Sequence, residues 1–427
     1  MKEWAQIGLD TGIPWPTAEV TVPFSGRQII LTPGTEDLLT TVSIQTTEGE
    51  STEEARAVLN RFLSSLSWVW KAHARRVISG GGGHRIRLGR SLYRGITISP
   101  EHFRCDYLPE PSSKDQRLAL ALYREALGVN SVAYKFLGFF KVLNIKVSGA
   151  RLIAWVNAHL ADLRDAQALK RIDEIQASSS DVGKYLYVSG RCAVAHASAN
   201  PIVDPDDPAD MLRLENDLPV AKALAELFIE KELGIKTMST VFNEHLYELE
   251  GFRELLGADL VSRLKRREVV VSDEIQPIPA LAIAVDGKGS YDAFDFLEVF
   301  QVGVKDGVLN LVCRSREKLL VTQIVLDFPE ERLYFDPYGF THIVDDGTPQ
   351  VFVYARGRLA FLRDLLLNGI VLVKDAASGK CLSRCDPFVA EIIDLEGTLA
   401  NITREIEGYA RLEALRCSGA QGSTSLA

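Results

Sequence analysis

Hydrophobic and polar positions alternate along the first part of the chain, in runs such as Glu19-Val20-Thr21-Val22 and Gln28-Ile29-Ile30-Leu31-Thr32. A period of two rich in β-branched residues predicts strands. The period lengthens at Ser51. Ser51 with Glu54 three residues on is a capping-box signature, and Ala57, Leu59, Phe62, Leu63, Leu66 and Trp70 recur at helical spacing toward the glycines at 80–83. Short strands are predicted near Leu92–Ser99 and Phe103–Leu108, which makes residues 1–111 a small α+β domain. The stretch Pro109-Glu110-Pro111-Ser112-Ser113 closes it.

Residues 112–257 read as helix almost throughout, with helices predicted near 113–127, 131–145, 149–166, 181–194, 208–233 and 239–256. The fifth is the best marked: Asp207 as N-cap, Pro208 at the first helical position, Asp210 in the first turn and Gly234 just past the end. Its Leu212, Leu224, Leu227, Phe228 and Leu233 face a core. Tyr134, Leu137, Phe140 and Val142 give the second helix an aromatic-rich face suited to tight packing.

After Glu268 the period shortens again. Val269–Val271, Leu281–Val285, Leu297–Val304, Val308–Arg314, Leu319–Leu326, Arg332–Phe335 and Val351–Tyr354 read as strands, and Asp306-Gly307 as a hairpin turn. A helix near Arg356–Leu367, a strand at Val371–Lys374 and a helix near Pro387–Leu415 complete a β-rich domain over 258–416. Residues 417–427 are expected to be a disordered tail, since Ser418–Ala427 is small and polar. The fold class expected is therefore multidomain α+β, a central all-α bundle between an N-terminal α+β unit and a C-terminal β-rich region with terminal helices.

Composition changes this picture little. The 427 residues are 46% hydrophobic and 25% charged, as in an ordinary globular protein. Met1-Lys2-Glu3-Trp4 lacks the apolar run of a secretion signal, and no uncharged apolar stretch is long enough to span a membrane. Cys105, Cys192, Cys313, Cys381, Cys385 and Cys417 are too scattered for a disulfide framework. A cytoplasmic protein with no cofactor and no metal is expected. A net charge of −9 excludes a protein that coats nucleic acid with its whole surface. It leaves room for a local basic site. Between Val69 and Pro100 there is no acidic residue, while Lys71, Arg75, Arg76, Arg85, Arg87, Arg90 and Arg94 are all basic. They form either a solvated helix end and loop or a phosphate-contacting edge.

Several motifs fail on inspection. Ser79–Gly83 lacks the Lys-Ser or Lys-Thr of a phosphate-cradling loop and reads as a flexible connector. Asp204, Asp206 and Asp207 suggest a divalent cation, but Pro205 and Pro208 interrupt them and Asp207 has a capping role. Cys381 and Cys385 have no second pair at zinc spacing.

Arg191-Cys192-Ala193-Val194-Ala195-His196 is different, because it sets one Arg and one His in a small, apolar run. A guanidinium there needs a partner or a ligand, since burying it alone costs several kcal/mol. On an uninterrupted helix, residues five apart stand roughly 140° apart. The two can meet only if the helix ends or bends before His196, and Ser198, Asn200 and Pro201 predict that it ends. Ser189 and Asp181 are candidate neighbours. In the alternative, structural reading, Arg191 pairs with one of Asp204–Asp207 and His196 donates to a backbone carbonyl.

An Arg-x4-His segment at a helix end within a helical domain resembles the HEPN superfamily. The longer stretch is more closely similar to the methylamine utilisation protein J family. It runs from Tyr134-Lys-Phe-Leu-Gly-Phe-Phe-Lys-Val-Leu, through Gly190-Arg-Cys-Ala-Val-Ala-His196, to Pro201-Ile-Val-Asp-Pro-Asp-Asp-Pro208. The resemblance covers roughly 112–257 and none of the flanks. It implies a helical bundle, a homodimer through that bundle, and a metal-independent ribonuclease site in which His196 moves protons and Arg191 holds phosphate. Catalytic members usually carry a polar residue directly after the Arg, where Cys192 stands here. Two functions follow. One is an RNA-cleaving or RNA-binding protein of defence or stress. The other is a non-catalytic scaffold, accessory to amine metabolism, that works through protein contacts, with the C-terminal domain offering a further partner surface.

Overall fold

The computed structural model describes residues 2–89, 96–100, 103, 105, 107–196, 201–244, 246–367, 369–385 and 394–423. Two compact units divide it, Met1–Ser239 and Thr240–Ala427. The architecture is multidomain α+β, with a mostly helical central region and a β-rich C-terminal region carrying terminal helices. No helix among the described residues is long and apolar enough to cross a membrane.

The first unit opens with β1 (Trp4–Thr11), β2 (Trp15–Pro16), β3 (Val20–Phe24), β4 (Arg27–Thr32) and β5 (Thr40–Gln45). Then follow α1 (Thr52–Trp70), β6 (Ala74–Gly82) and β7 (Thr97–Ile98). Five strands form an antiparallel sheet in the order β3-β4-β5-β1-β6, with β2 and β7 paired apart from it. Ser25 and Gly26, both at positive φ, make the tight turn between β3 and β4. The capping box of Ser51 and Glu54 starts α1. Leu59, Phe62 and Leu66 of α1 pack with Ile7, Ile29 and Val42 of the sheet.

The glycine run is not a connector. Ser79–Gly82 lie in β6 and pair with Trp4–Ile7 of β1. Glycine is needed there because other chain closes over the strand. A Cβ on Gly80 would lie 2.9 Å from the Leu88 side chain, and one on Gly81 3.0 Å from the Trp4 carbonyl oxygen. Of the two strands expected after it, β7 falls within 92–99, whereas Phe103 and Cys105 are irregular; Arg90 and Arg94 lie outside the described residues.

The helical region holds α2 (Lys114–Gly128), α3 (Val132–Leu143), α4 (Ala150–His159), α5 (Ala166–Gln176) and α6 (Val182–Tyr185). A π-helix over Leu186–Cys192 leads into α7 (Ala193–Ala195), and α8 (Pro208–Leu233) crosses the bundle. Tyr123, Phe136, Phe139, Phe140 and Phe228 fill its core. Polar α5 escapes the sequence reading although Asp165 caps it; it buries only Ala168, Ile172 and Ile175. The short α9 (Met238–Asn243) spans the division between the units.

The second unit begins with α10 (Glu250–Leu256) and α11 (Ala258–Lys265), so helix continues past 257. Strands β8 (Leu281–Val285), β9 (Leu297–Lys305), β10 (Val308–Ser315), β11 (Leu320–Asp327), β12 (Arg332–Phe335) and β13 (Thr341–Ile343) follow. Next come α12 (Gln350–Leu366), β14 (Val371–Asp375), β15 (Cys381–Cys385) and α13 (Leu395–Ser423). The sheet runs β12-β11-β10-β9-β8-β14-β15, with β13 also on β11.

Four expectations change here. Val351–Tyr354, predicted as a strand, belongs to α12, because Val351, Tyr354, Ala355 and Leu359 bury one helical face. Val269–Val271 is irregular, with Val269 and Val271 exposed. Cys381 and Cys385 lie on an unforeseen strand. The expected tail instead continues α13 to Ser423.

Candidate functional site

Three local devices shape the segment that carries Arg191 and His196. The Asp181 carboxylate starts it, accepting from the Lys184 backbone N–H at 2.8 Å as an N-cap. Gly183 then presses against α4, where a Cβ would lie 2.6 Å from the Ile153 carbonyl oxygen. Gly190 presses against α3 in the same way, 2.5 Å from the Phe136 ring. Between these wedges the helix widens into i→i+5 turns over Leu186–Cys192. It ends at His196, whose backbone is extended (φ −130°, ψ 112°).

The helix is thus widened before Arg191 and ends at His196, where the sequence reading expected an end. Arg191 Nη1 lies 3.3 Å from His196 Nε2. The guanidinium also sits 5.7 Å from the Tyr187 ring centroid and 3.8 Å from the Cys192 sulfur. A guanidinium only donates, so in this contact Nε2 is the acceptor. Asp204 and Asp207 are occupied locally. Asp204 accepts from the Asp206 N–H, and Asp207 caps α8 at Ala209. Among the described residues no ion pair joins Arg191 to any of them.

Along the same segment lies a network that sequence reasoning missed. Asp217, fully buried on α8, accepts from Arg171 Nε at 2.9 Å and from the Tyr185 hydroxyl at 3.1 Å. Arg213 Nη1 stands 3.7 Å from the same carboxylate and donates to the Ser189 carbonyl at 2.9 Å. Burial pushes the Asp217 carboxyl above its usual range, although Arg171 and Arg213 pull the other way. Burial also raises the Tyr185 phenol, with Asp217 adding to the effect. The missed signal was an acid at Asp217 on the apolar stripe of Leu214, Ala221 and Leu224.

The other candidates scatter. Ser189 reaches the network through its backbone. Asp181 is bound to Asn157 and the Lys184 N–H, with no hydrogen bond to Arg191 or His196 among the described residues. In the basic strip, Arg75 pairs with Asp10, Arg85 with Glu19 at 2.9 Å, and Lys71 with Glu226 at 2.7 Å. A hydrogen bond from Arg85 holds the Glu19 carboxyl below its usual range. Arg76 and Arg87 are exposed. Among the described residues no group of three or more His, Cys, Asp or Glu could hold a metal ion.

These features define a helical region whose widened turn presents an arginine and a histidine together. Over residues 119–230, from α2 to α8, the chain matches the family model for methylamine utilization protein MauJ. No curated protein and no solved structure matches the chain.

Proposed function

We propose that this chain is a non-catalytic helical scaffold, accessory to methylamine utilisation, that acts through protein contacts. The observation that carries this reading is the family match over 119–230. The site agrees with it, because the His196 lone pair that would take a substrate proton is engaged by Arg191. Cys192 beside Arg191 agrees as well. Exposed Leu118, Tyr134 and Leu212 on the helical region support protein contact there, including a homodimer. The β-rich region offers a further partner surface in this reading, in a cytoplasmic setting. Purified full-length protein incubated with bulk RNA in EDTA should leave the RNA intact, for the parent and His196→Ala alike. RNA cleavage by the parent that disappears in His196→Ala overturns the reading.

The 3.3 Å approach of Arg191 to His196 favours a second reading, a metal-independent endoribonuclease of the HEPN kind. Arg191 would hold the scissile phosphate while His196 accepts the ribose 2′-hydroxyl proton. The 2′-oxygen then attacks phosphorus and the bond to the 5′-oxygen breaks. The products are a 2′,3′-cyclic phosphate and a 5′-hydroxyl that receives a proton. Arg191→Lys would damage such a site, because an ammonium lacks the planar fork. Ser189, Asp181 and the strip of Arg75, Arg76, Arg85, Arg87 and Arg90 would then be the RNA-facing candidates.

A further inference from the structure

The Leu186–Cys192 segment departs from α-helical geometry, and a widened turn persists only where its surroundings hold it. Two wedges act from outside, at Gly183 and Gly190. On the side facing α8, one carboxylate reaches both the start and the middle of the turn. Asp217 takes the hydroxyl of Tyr185, the residue that opens the π-helix, at 3.1 Å. Through Arg213 it also bears on Ser189, whose carbonyl accepts from that guanidinium at 2.9 Å. Arg213 is held at its other nitrogen by Asp210, 3.3 Å away. Arg171, on α5, closes the network by donating from Nε to Asp217 and from Nη2 to Tyr185, at 2.9 and 3.4 Å.

Burial makes this arrangement directional. Asp217 has no exposed surface, and a carboxylate in that position needs its partners in place. Those partners have little freedom, since Arg171 is also tied to Glu174 and Arg213 to Asp210. Arg191 and Cys192 follow Ser189 and Gly190 directly, so the orientation of Ser189 sets the direction in which Arg191 leaves the helix. Without that anchoring, an ordinary α-turn would carry Arg191 away from His196.

We infer that Asp217, with Arg171, Arg213 and Tyr185, forms a positioning unit that holds the widened turn and thereby brings Arg191 onto His196. None of the four is a catalytic residue. The inference concerns the geometry of the pair and holds whether or not RNA is cut.

The test reads His196 directly in the full-length protein. Carbethoxylation of its ring by diethyl pyrocarbonate, followed by mass spectrometry, reports whether Nε2 is engaged, and the ring C–H resonance reports its surroundings. Arg191→Ala gives the released reference. Asp217→Asn should raise the modification rate several-fold toward that reference and move the resonance in the same direction. Ile172→Val, which loosens the packing of α5 and leaves the network intact, should move neither. A folded Asp217→Asn protein with the parental rate and resonance overturns the inference. If Asp217→Asn does not fold, Arg213→Lys and Tyr185→Phe, each a milder change, are read by the same two outcomes. Failure here leaves the RNA experiment untouched, because the two measure different things.

Discussion

In the N-terminal region Arg75 sits against Asp10 and Arg85 against Glu19, while in the helical region Arg191 meets an imidazole and a phenol ring. The first region has many cations and looks electropositive in the sequence. In the fold Arg75 and Arg85 are offset, because carboxylates arrive from β1 and from just before β3. In the second region Arg191 forms no ion pair among the described residues. The difference teaches that a run of basic residues says little about where positive charge is left uncompensated. That depends on which acids the fold brings alongside.

The comparison breaks most severely at Asp217. Asp217→Ala leaves Arg171 and Arg213 without their buried counter-charge, and should cost about 3–5 kcal/mol in urea unfolding. A loss below about 1 kcal/mol would mean that the network is ornamental. Gly190→Ala comes next. Its new methyl would fall 2.5 Å from the Phe136 ring, which is buried and stacked on Phe140 at 4.8 Å. Overpacking of this kind should cost about 1–3 kcal/mol and separate Arg191 from His196, visible in a crystal structure of the variant.

A smaller effect concerns pH. Asp217 holds its proton more tightly in the fold than in the unfolded chain, where the ordinary value is 3.8. The folded state is then the more protonated one, so this group's contribution to stability falls as pH rises from 3.8 through the raised folded value. The parent should lose ground to Asp217→Asn across that window. Stability curves that stay parallel as pH rises above 3.8 would contradict the raised value. The smallest effect sharpens the other side of the comparison. Arg75→Ala and Arg85→Ala, each breaking an exposed pair, should change stability by about 1 kcal/mol or less. They should also leave retention on heparin unchanged; a marked loss of retention would restore the strip as a phosphate-binding edge.

Local signals were legible. Asp207, Pro208 and Gly234 mark α8 because an N-cap, a first-turn proline and a left-handed C-cap each act within a few residues. The meeting of Arg191 and His196 was legible as a condition, that the helix must bend or end between them. What bends it was not, since the wedge at Gly190 depends on Phe136 in another helix. The ion partners of the strip were equally hidden. Asp10 lies 65 positions from Arg75 and Glu19 lies 66 from Arg85, beyond any local pattern. Val351–Tyr354 misled for the opposite reason. Four residues with strong strand preference sit in a helix because burial of Val351, Phe352 and Tyr354 along it outweighs propensity.

Helix α1 serves two cores at once. Its Leu59 and Phe62 lie under the N-terminal sheet, while Trp68 is buried among the helices, 5.1 Å from the Tyr123 ring, with its indole N–H on the Lys236 carbonyl. Arg124 of α2 reaches back to the Asn60 carbonyl at 2.8 Å. Cutting the chain at the change of pattern near residue 111 should therefore damage the helical core as well as part it from the sheet. A fragment beginning there would carry a bundle missing Trp68, a loss on the order of 3–5 kcal/mol, a large part of the stability of a typical domain. Sheet and bundle should accordingly melt together, as one cooperative folding unit rather than two.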